Sequence, residues 1–132
     1  MARIFLDASL LIALHDPKDA HHAWAAELLT STLDDSWEMN AVTLAEVLVR
    51  PQRQNRADIF LANVKGLGIA VIALEADSSV ELAKLRATHN LPMPDTIVLQ
   101  SAIAGSATLA TCDVRLARTA RSLGLAVHSP TM

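Results

Sequence analysis

One cysteine, Cys112, stands in 132 residues, so no internal disulfide can form and the composition suits a reducing compartment. A long apolar run is also missing, since none approaches the roughly 20 consecutive residues that a membrane-spanning helix needs. The opening Met1-Ala-Arg-Ile-Phe-Leu-Asp7 meets a charge before any signal-peptide core can form, and a cytoplasmic location with no membrane contact is expected. There is no basic surplus. Fourteen acidic residues against 11 basic ones leave a net charge of −3, whereas proteins that grip nucleic acid by bulk electrostatics carry an excess of Lys and Arg. Any nucleic-acid contact must therefore be local. Zinc-type spacing is absent too: His21 and His22 are adjacent and diverge around a helix, and no other histidine pair suits a metal motif. No repeat, linker or low-complexity tract divides the chain, so residues 1–132 are expected to form one domain.

What the chain does have is apolar content, 52% against 19% charged, which excludes disorder and suits a sheet buried on both faces. Residues 3–6 form an apolar run without alternation that ends at Asp7, the pattern of a strand covered on both sides. Helices are expected over 9–15 and 21–33, separated by the turn Asp16-Pro-Lys-Asp19, with Trp24 and Leu28 facing the core. A weaker strand candidate covers 37–41. Thr43 should open a helix that Pro51 stops after Arg50, and a further helix spans 56–65 before the glycines at 66 and 68. Residues 69–74 read as a second fully covered strand, 78–89 as a helix, and 95–104 as a helix launched after Pro92-Met-Pro94. A strand over 108–111, a helix over 114–123 and a short strand over 125–128 complete the chain. Short apolar strands alternating with helices predict an α/β fold, a mostly parallel sheet with helices on both faces. In such sheets, ligands bind beyond the carboxyl ends of the strands.

Four acids fall where that rule points. Asp7 and Asp113 follow apolar strands, while Glu46 and Asp95 sit near helix starts. Each has an ordinary explanation: Asp7 as a helix cap, Thr43-Leu-Ala-Glu46 as a capping box, Asp95 and Asp113 as favourable negative charge at helix N-termini. Jointly they could converge at one sheet edge. Gathered carboxylates repel one another, an arrangement tolerated chiefly when a hard divalent cation such as Mg²⁺ or Mn²⁺ holds them. Such a cation promotes hydrolysis of phosphodiesters.

The segments Leu6-Asp7-Ala8-Ser9, Thr43-Leu-Ala-Glu46, Leu91-Pro-Met-Pro-Asp95 and Thr108-Leu-Ala-Thr111-Cys112-Asp113 resemble, in order and spacing, the four acidic motifs of the PIN-domain nucleases. Their order and approximate spacing agree with the short VapC-type toxins of bacterial toxin–antitoxin pairs. The resemblance implies a three-layer α/β/α fold, Mg²⁺- or Mn²⁺-dependent cleavage of RNA, a homodimer, and inhibition by a small antitoxin protein. It also implies that Asp7, Glu46, Asp95 and Asp113 are the catalytic, metal-holding quartet, with Ser9 and Thr111 as polar residues beside them. Cys112 stands where the family often carries Arg or Asn.

Arg115, Arg118 and Arg121 recur every three positions after Asp113; Arg115 and Arg118 are candidates for RNA contact, with a solvated helix face as the alternative. Arg50, Arg53 and Arg56 form a second basic cluster that could face RNA, a partner or solvent. An antitoxin helix is expected to lie across the N-terminal helices around residues 11–29, with a basic residue reaching the acids. Other functions compete less well. A haloacid-dehalogenase-like phosphatase needs Asp-x-Asp, and here Ser9 replaces the second acid; a receiver domain needs a lysine after the late strand at 125–128. A binding-only PIN-like module and a structure-specific DNase remain the alternatives to a ribonuclease.

Overall fold

The computed structural model describes residues 2–130. Its frame is a parallel sheet of five strands, β1 (Arg3–Leu6), β2 (Ser36–Asn40), β3 (Ala70–Ile72), β4 (Thr108–Ala110) and β5 (Val127–His128), in the order β3-β2-β1-β4-β5. Seven helices connect them: α1 (Ala8–His15), α2 (His22–Ser31), α3 (Ala41–Arg53), α4 (Ala57–Gly66), α5 (Ser79–His89), α6 (Met93–Ala104) and α7 (Val114–Ser122), with one 3-10 turn at Ala76–Ser78. Among the described residues, no helix is long and apolar enough to cross a membrane.

The unbroken apolar run of β1 follows from covering on both faces. Ile4 and Leu6 point into one core with Leu10, Leu11, Trp37 and Met39, beneath α1 to α4. Phe5 points the other way, to Leu99, Leu109 and Leu116, beneath α5 to α7. Alternation then carries Asp7 to the Phe5 face at the carboxyl edge. Because β1 pairs with β2 on one side and β4 on the other, the chain leaves β1 and β4 toward opposite faces. The crevice between those two strand ends is where an open α/β sheet binds its ligands.

Three local expectations are corrected. First, α3 begins at Ala41, because Asn40 caps it: Oδ1 accepts from the Thr43 backbone N–H at 2.7 Å. Thr43 therefore lies inside the first turn, and the capping box with Glu46 does not form. Second, Pro51 does not stop α3, which runs to Arg53. Proline removes one donor and crowds the preceding turn. One short turn follows it, closed by tight bonds from Gln54 to Pro51 and Asn55 to Gln52. Third, the apolar stretch 69–74 is not covered on both faces. Ile69 is buried, but all of β3 lies exposed at the sheet edge, where it has a strand neighbour on one side only.

Candidate active site

Asp7 occupies the position before α1, yet its carboxylate makes no capping bond. Instead Oδ2 accepts two hydrogen bonds, from Ser9 Oγ at 2.7 Å and Thr111 Oγ1 at 2.8 Å. Those hydroxyls are themselves held: the Cys112 backbone N–H donates to Ser9 Oγ, and the Asp113 backbone N–H to Thr111 Oγ1, each at 3.0 Å. The Asp7 backbone N–H donates to the Ala110 carbonyl at 3.0 Å, continuing the β1–β4 ladder past the strand ends. A buried carboxylate is thus fixed at the switch point by groups from the segments that follow β1 and β4. Its orientation is set by Ser9 on α1 and by Thr111, 104 residues away, and not by a bond that caps α1.

The other three acids arrive on separate elements. Glu46 lies on α3, exposed and without a hydrogen bond or ion pair among the described residues. Asp95 is the third residue of α6, half-buried, and its side chain makes no capping bond either. Asp113 does cap: Oδ1 accepts from the Leu116 N–H at 3.0 Å and starts α7. Asp113 therefore caps its helix and Asp95 keeps the favourable place of a negative charge in the first turn of α6, whereas neither Asp7 nor Glu46 makes the capping bond that its ordinary explanation requires.

Asp95 feels the charges of the other three acids. Burial pushes Asp95 up to about 6, and the negative charges of Asp7, Asp113 and Glu46 push in the same direction, opposed by Arg115. Glu46 is raised as well, by partial burial and then by Asp7. Carboxylates separated by 39, 49 and 18 residues in sequence feel one another because the parallel sheet delivers all four to one edge.

Arg115 stands on the first turn of α7, where its guanidinium donates to the Asn90 carbonyl at 2.9 Å and its charge acts on Asp95. Arg118 is exposed one turn on, and Arg121 reaches toward the Val127 carbonyl at 3.5 Å, away from the acids. Of the three, Arg115 is the one tied to the cluster. Cys112 is half-buried and its thiol is pushed up to about 11, by burial and then by Asp19 and Asp7, which keeps it protonated at neutral pH.

Asn40 escaped the sequence reading. It is 1% exposed, and the β1–β2 register, which pairs Phe5 with Glu38, places it beside Asp7. Its Oδ1 caps α3 while Nδ2 is buried without a partner. The signal was available, because Asn directly before a helix is among the strongest caps.

A divalent cation would meet donors that are carboxylate oxygens alone, the set that Mg²⁺ and Mn²⁺ prefer. As arranged, no three Asp, Glu, His or Cys side chains among the described residues are close enough to hold one ion. The acids are coupled electrostatically without being closed around a centre.

A family model of the PIN domain matches residues 4–122. A search of curated proteins finds no match. Among solved structures, the chain is similar to the VapC20 toxin of Mycobacterium tuberculosis, described as cleaving the sarcin–ricin loop: 19% identity, 88% of this chain and 94% of that one, TM-score 0.76. It is similar to VapBC-1 of nontypeable Haemophilus influenzae, with 15% identity over 96% of this chain and 97% of that one at TM-score 0.73. It is also similar to VapBC2 of Rickettsia felis, solved bound to a fragment of its promoter DNA, with 19% identity over 98% and 99% at TM-score 0.68. At these identities the likeness is one of fold.

Proposed function

The chain belongs to the PIN domain family, and from that premise we propose that it is a metal-dependent endoribonuclease, the toxin of a toxin–antitoxin pair. What supports this reading is the electrostatic coupling at Asp95, which feels the charges of Asp7, Asp113 and Glu46, together with an Asp7 carboxylate that makes no capping bond. The toxins among the solved structures of the same fold support the choice of RNA and of a small antitoxin partner.

Asp7 is the fixed member. Oδ2 is engaged by Ser9 and Thr111, and the other oxygen makes no hydrogen bond among the described residues. Asp95 and Glu46 approach from the two helical layers, and Asp113 from the start of α7. These four would hold Mg²⁺ or Mn²⁺, which when bound stabilises charge developing on a phosphodiester and makes a water more acidic. Arg115, beside Asp95, is placed to pair with a phosphate oxygen, and exposed Arg118 extends that side. Ser9 and Thr111 keep the Asp7 carboxylate from rotating.

One cytoplasmic domain, working as a homodimer, completes the proposal. Exposed Val71, Ile72 and Leu74 at the sheet edge offer apolar surface for a second copy to cover. For the antitoxin helix, Leu11 and Leu28 are spent in the core, which leaves Ile12, Leu14, Trp24 and Leu29 as available anchors.

Purified protein incubated with RNA and Mg²⁺ or Mn²⁺ should generate new RNA ends that chelator abolishes. Asp7→Asn should lower the rate at least about a hundredfold, beyond what loss of a supporting contact costs. Identical end profiles for wild type and Asp7→Asn would sink the enzymatic reading.

A further inference from the structure

A groove of about 450 Å³ opens at Glu46 and runs between α1 and α3 toward α4. It continues into a smaller pocket of about 240 Å³ that shares His15, Pro51, Gln54 and Phe60 and adds Arg56. Three cations are distributed along this path, Lys18 and Arg50 on the first stretch and Arg56 on the second, with Asp16 as the one further acid besides Glu46 in the lining. Their side chains make no hydrogen bond or ion pair among the described residues. Where the two stretches meet, the rings of His15 and Phe60 lie against each other, centroids 4.2 Å apart and tilted by 30°. His15 is anchored by Nδ1 on the Leu11 carbonyl at 3.0 Å, so the ring pair is a fixed platform.

Unpaired cations leading away from an acid cluster solve a specific problem. A polyanionic strand brought to four carboxylates on a chain of net charge −3 is repelled unless cations grip its phosphates on either side. Arg115 serves one side of the cluster, and this groove begins on the other. A flat aromatic pair between cations suits an unstacked base and has nothing to offer a base inside a duplex.

We propose that this groove is a subsite for single-stranded RNA next to the cleaved bond, with Lys18, Arg50 and Arg56 on phosphates and the His15–Phe60 pair stacking one base. The inference rests on the nuclease reading of the acid cluster. It divides the basic segment that the sequence left ambiguous: Arg50 and Arg56 line the path, and Arg53 does not.

The test measures binding without cleavage, by fluorescence anisotropy with a labelled single-stranded RNA of about 12 nucleotides, in chelator and across a salt series. Arg50→Gln with Arg56→Gln should weaken binding roughly tenfold and flatten the log–log salt slope by about 1.4, the value for two phosphate contacts on a single strand. Phe60→Leu should weaken binding about fivefold with the slope unchanged, since stacking releases no counterions. Arg53→Gln should match wild type in both. Thermal melts of each variant separate a folding defect from a binding defect. The proposal is overturned if the double variant behaves like Arg53→Gln, or if a duplex of equal length binds as well and with the same variant pattern. Loss of binding to a small protein partner with RNA binding intact would also overturn it, assigning the groove to that partner. Cleavage at the acids with indifferent groove variants would remove the subsite alone; groove-dependent binding without metal-dependent cleavage would remove the nuclease reading alone.

Discussion

The two ends of the sheet treat charge in opposite ways. At the amino end, Arg3 is matched: its guanidinium donates to both Glu38 oxygens at 2.8 and 3.2 Å and to the Gly105 carbonyl at 2.8 Å, tying β1 to β2 and to the end of α6. At the carboxyl end, four acids share one region, with Arg115 as the cation acting on Asp95 and part of its donor capacity already engaged by Asn90. A fold has no stability reason to leave such repulsion standing, because like charges in partial burial oppose folding. The unmatched end is therefore where function is expected, and the matched end where charge serves architecture.

The sharpest way to break that contrast is to disturb the carboxyl end without touching a charge. Thr111→Val removes one of the two hydroxyls on Asp7 Oδ2 and the acceptor for the Asp113 N–H. Cleavage or metal affinity should fall roughly 10- to 100-fold, the range for groups that orient a ligand. Thr111→Ser should restore most of it. An unchanged titration with Mn²⁺ for the valine variant would mean that Asp7 needs no such support.

Asp95→Asn tests the stored repulsion through stability. With its acidity weakened to about 6, the Asp95 carboxylate opposes folding when ionised. The penalty is absent below about pH 4, where the group is protonated folded or unfolded, grows as pH rises, and is complete above about 6. The full shift would correspond to about 3 kcal/mol, and solvent at this half-exposed site screens it to about 1. In chelator at pH 7.5 the variant should therefore melt a few degrees above wild type, and the gain should vanish near pH 4. Added Mg²⁺ or Mn²⁺ should reverse the order by stabilising wild type more. A variant that melts lower at neutral pH, beside a wild type indifferent to metal, would remove the case for a shared site.

The smallest effect belongs to the matched end. Arg3→Met breaks the pair with Glu38, and because Arg3 is half exposed it should cost under about 1 kcal/mol. Melting should drop by a few degrees at most, with RNA cleavage unchanged. A cleavage defect there would erase the distinction between the two ends.

Much of this was legible beforehand because strand burial leaves a local trace. The apolar residues 4–6 of β1 read as a strand covered twice and are buried, and Asp7 at the end of the strand marked the edge. Gly124, at φ 86°, closed α7 where expected, whereas α6 starts at Met93, two residues before the expected Asp95, because a proline is tolerated in the first turn of a helix. Covering was misjudged for β3, whose residues look as apolar as those of β1 yet lie exposed, since strand order is a property of the sheet and not of the segment. The capping explanation for Glu46 failed for a similar reason: Thr43 and Asn40 both suit a cap, and the backbone chose Asn40.

By itself the sequence determined the alternation of elements and singled out four acids as candidates, because hydrophobic period and turn residues are encoded locally. Only the tertiary structure decided that Asp7 is oriented by Thr111, 104 residues away, that the acids feel one another at Asp95, and that Arg50 and Arg56 line one path while Arg53 does not. Those outcomes depend on β1 lying between β2 and β4, a long-range pairing that fixes distances which no local pattern carries.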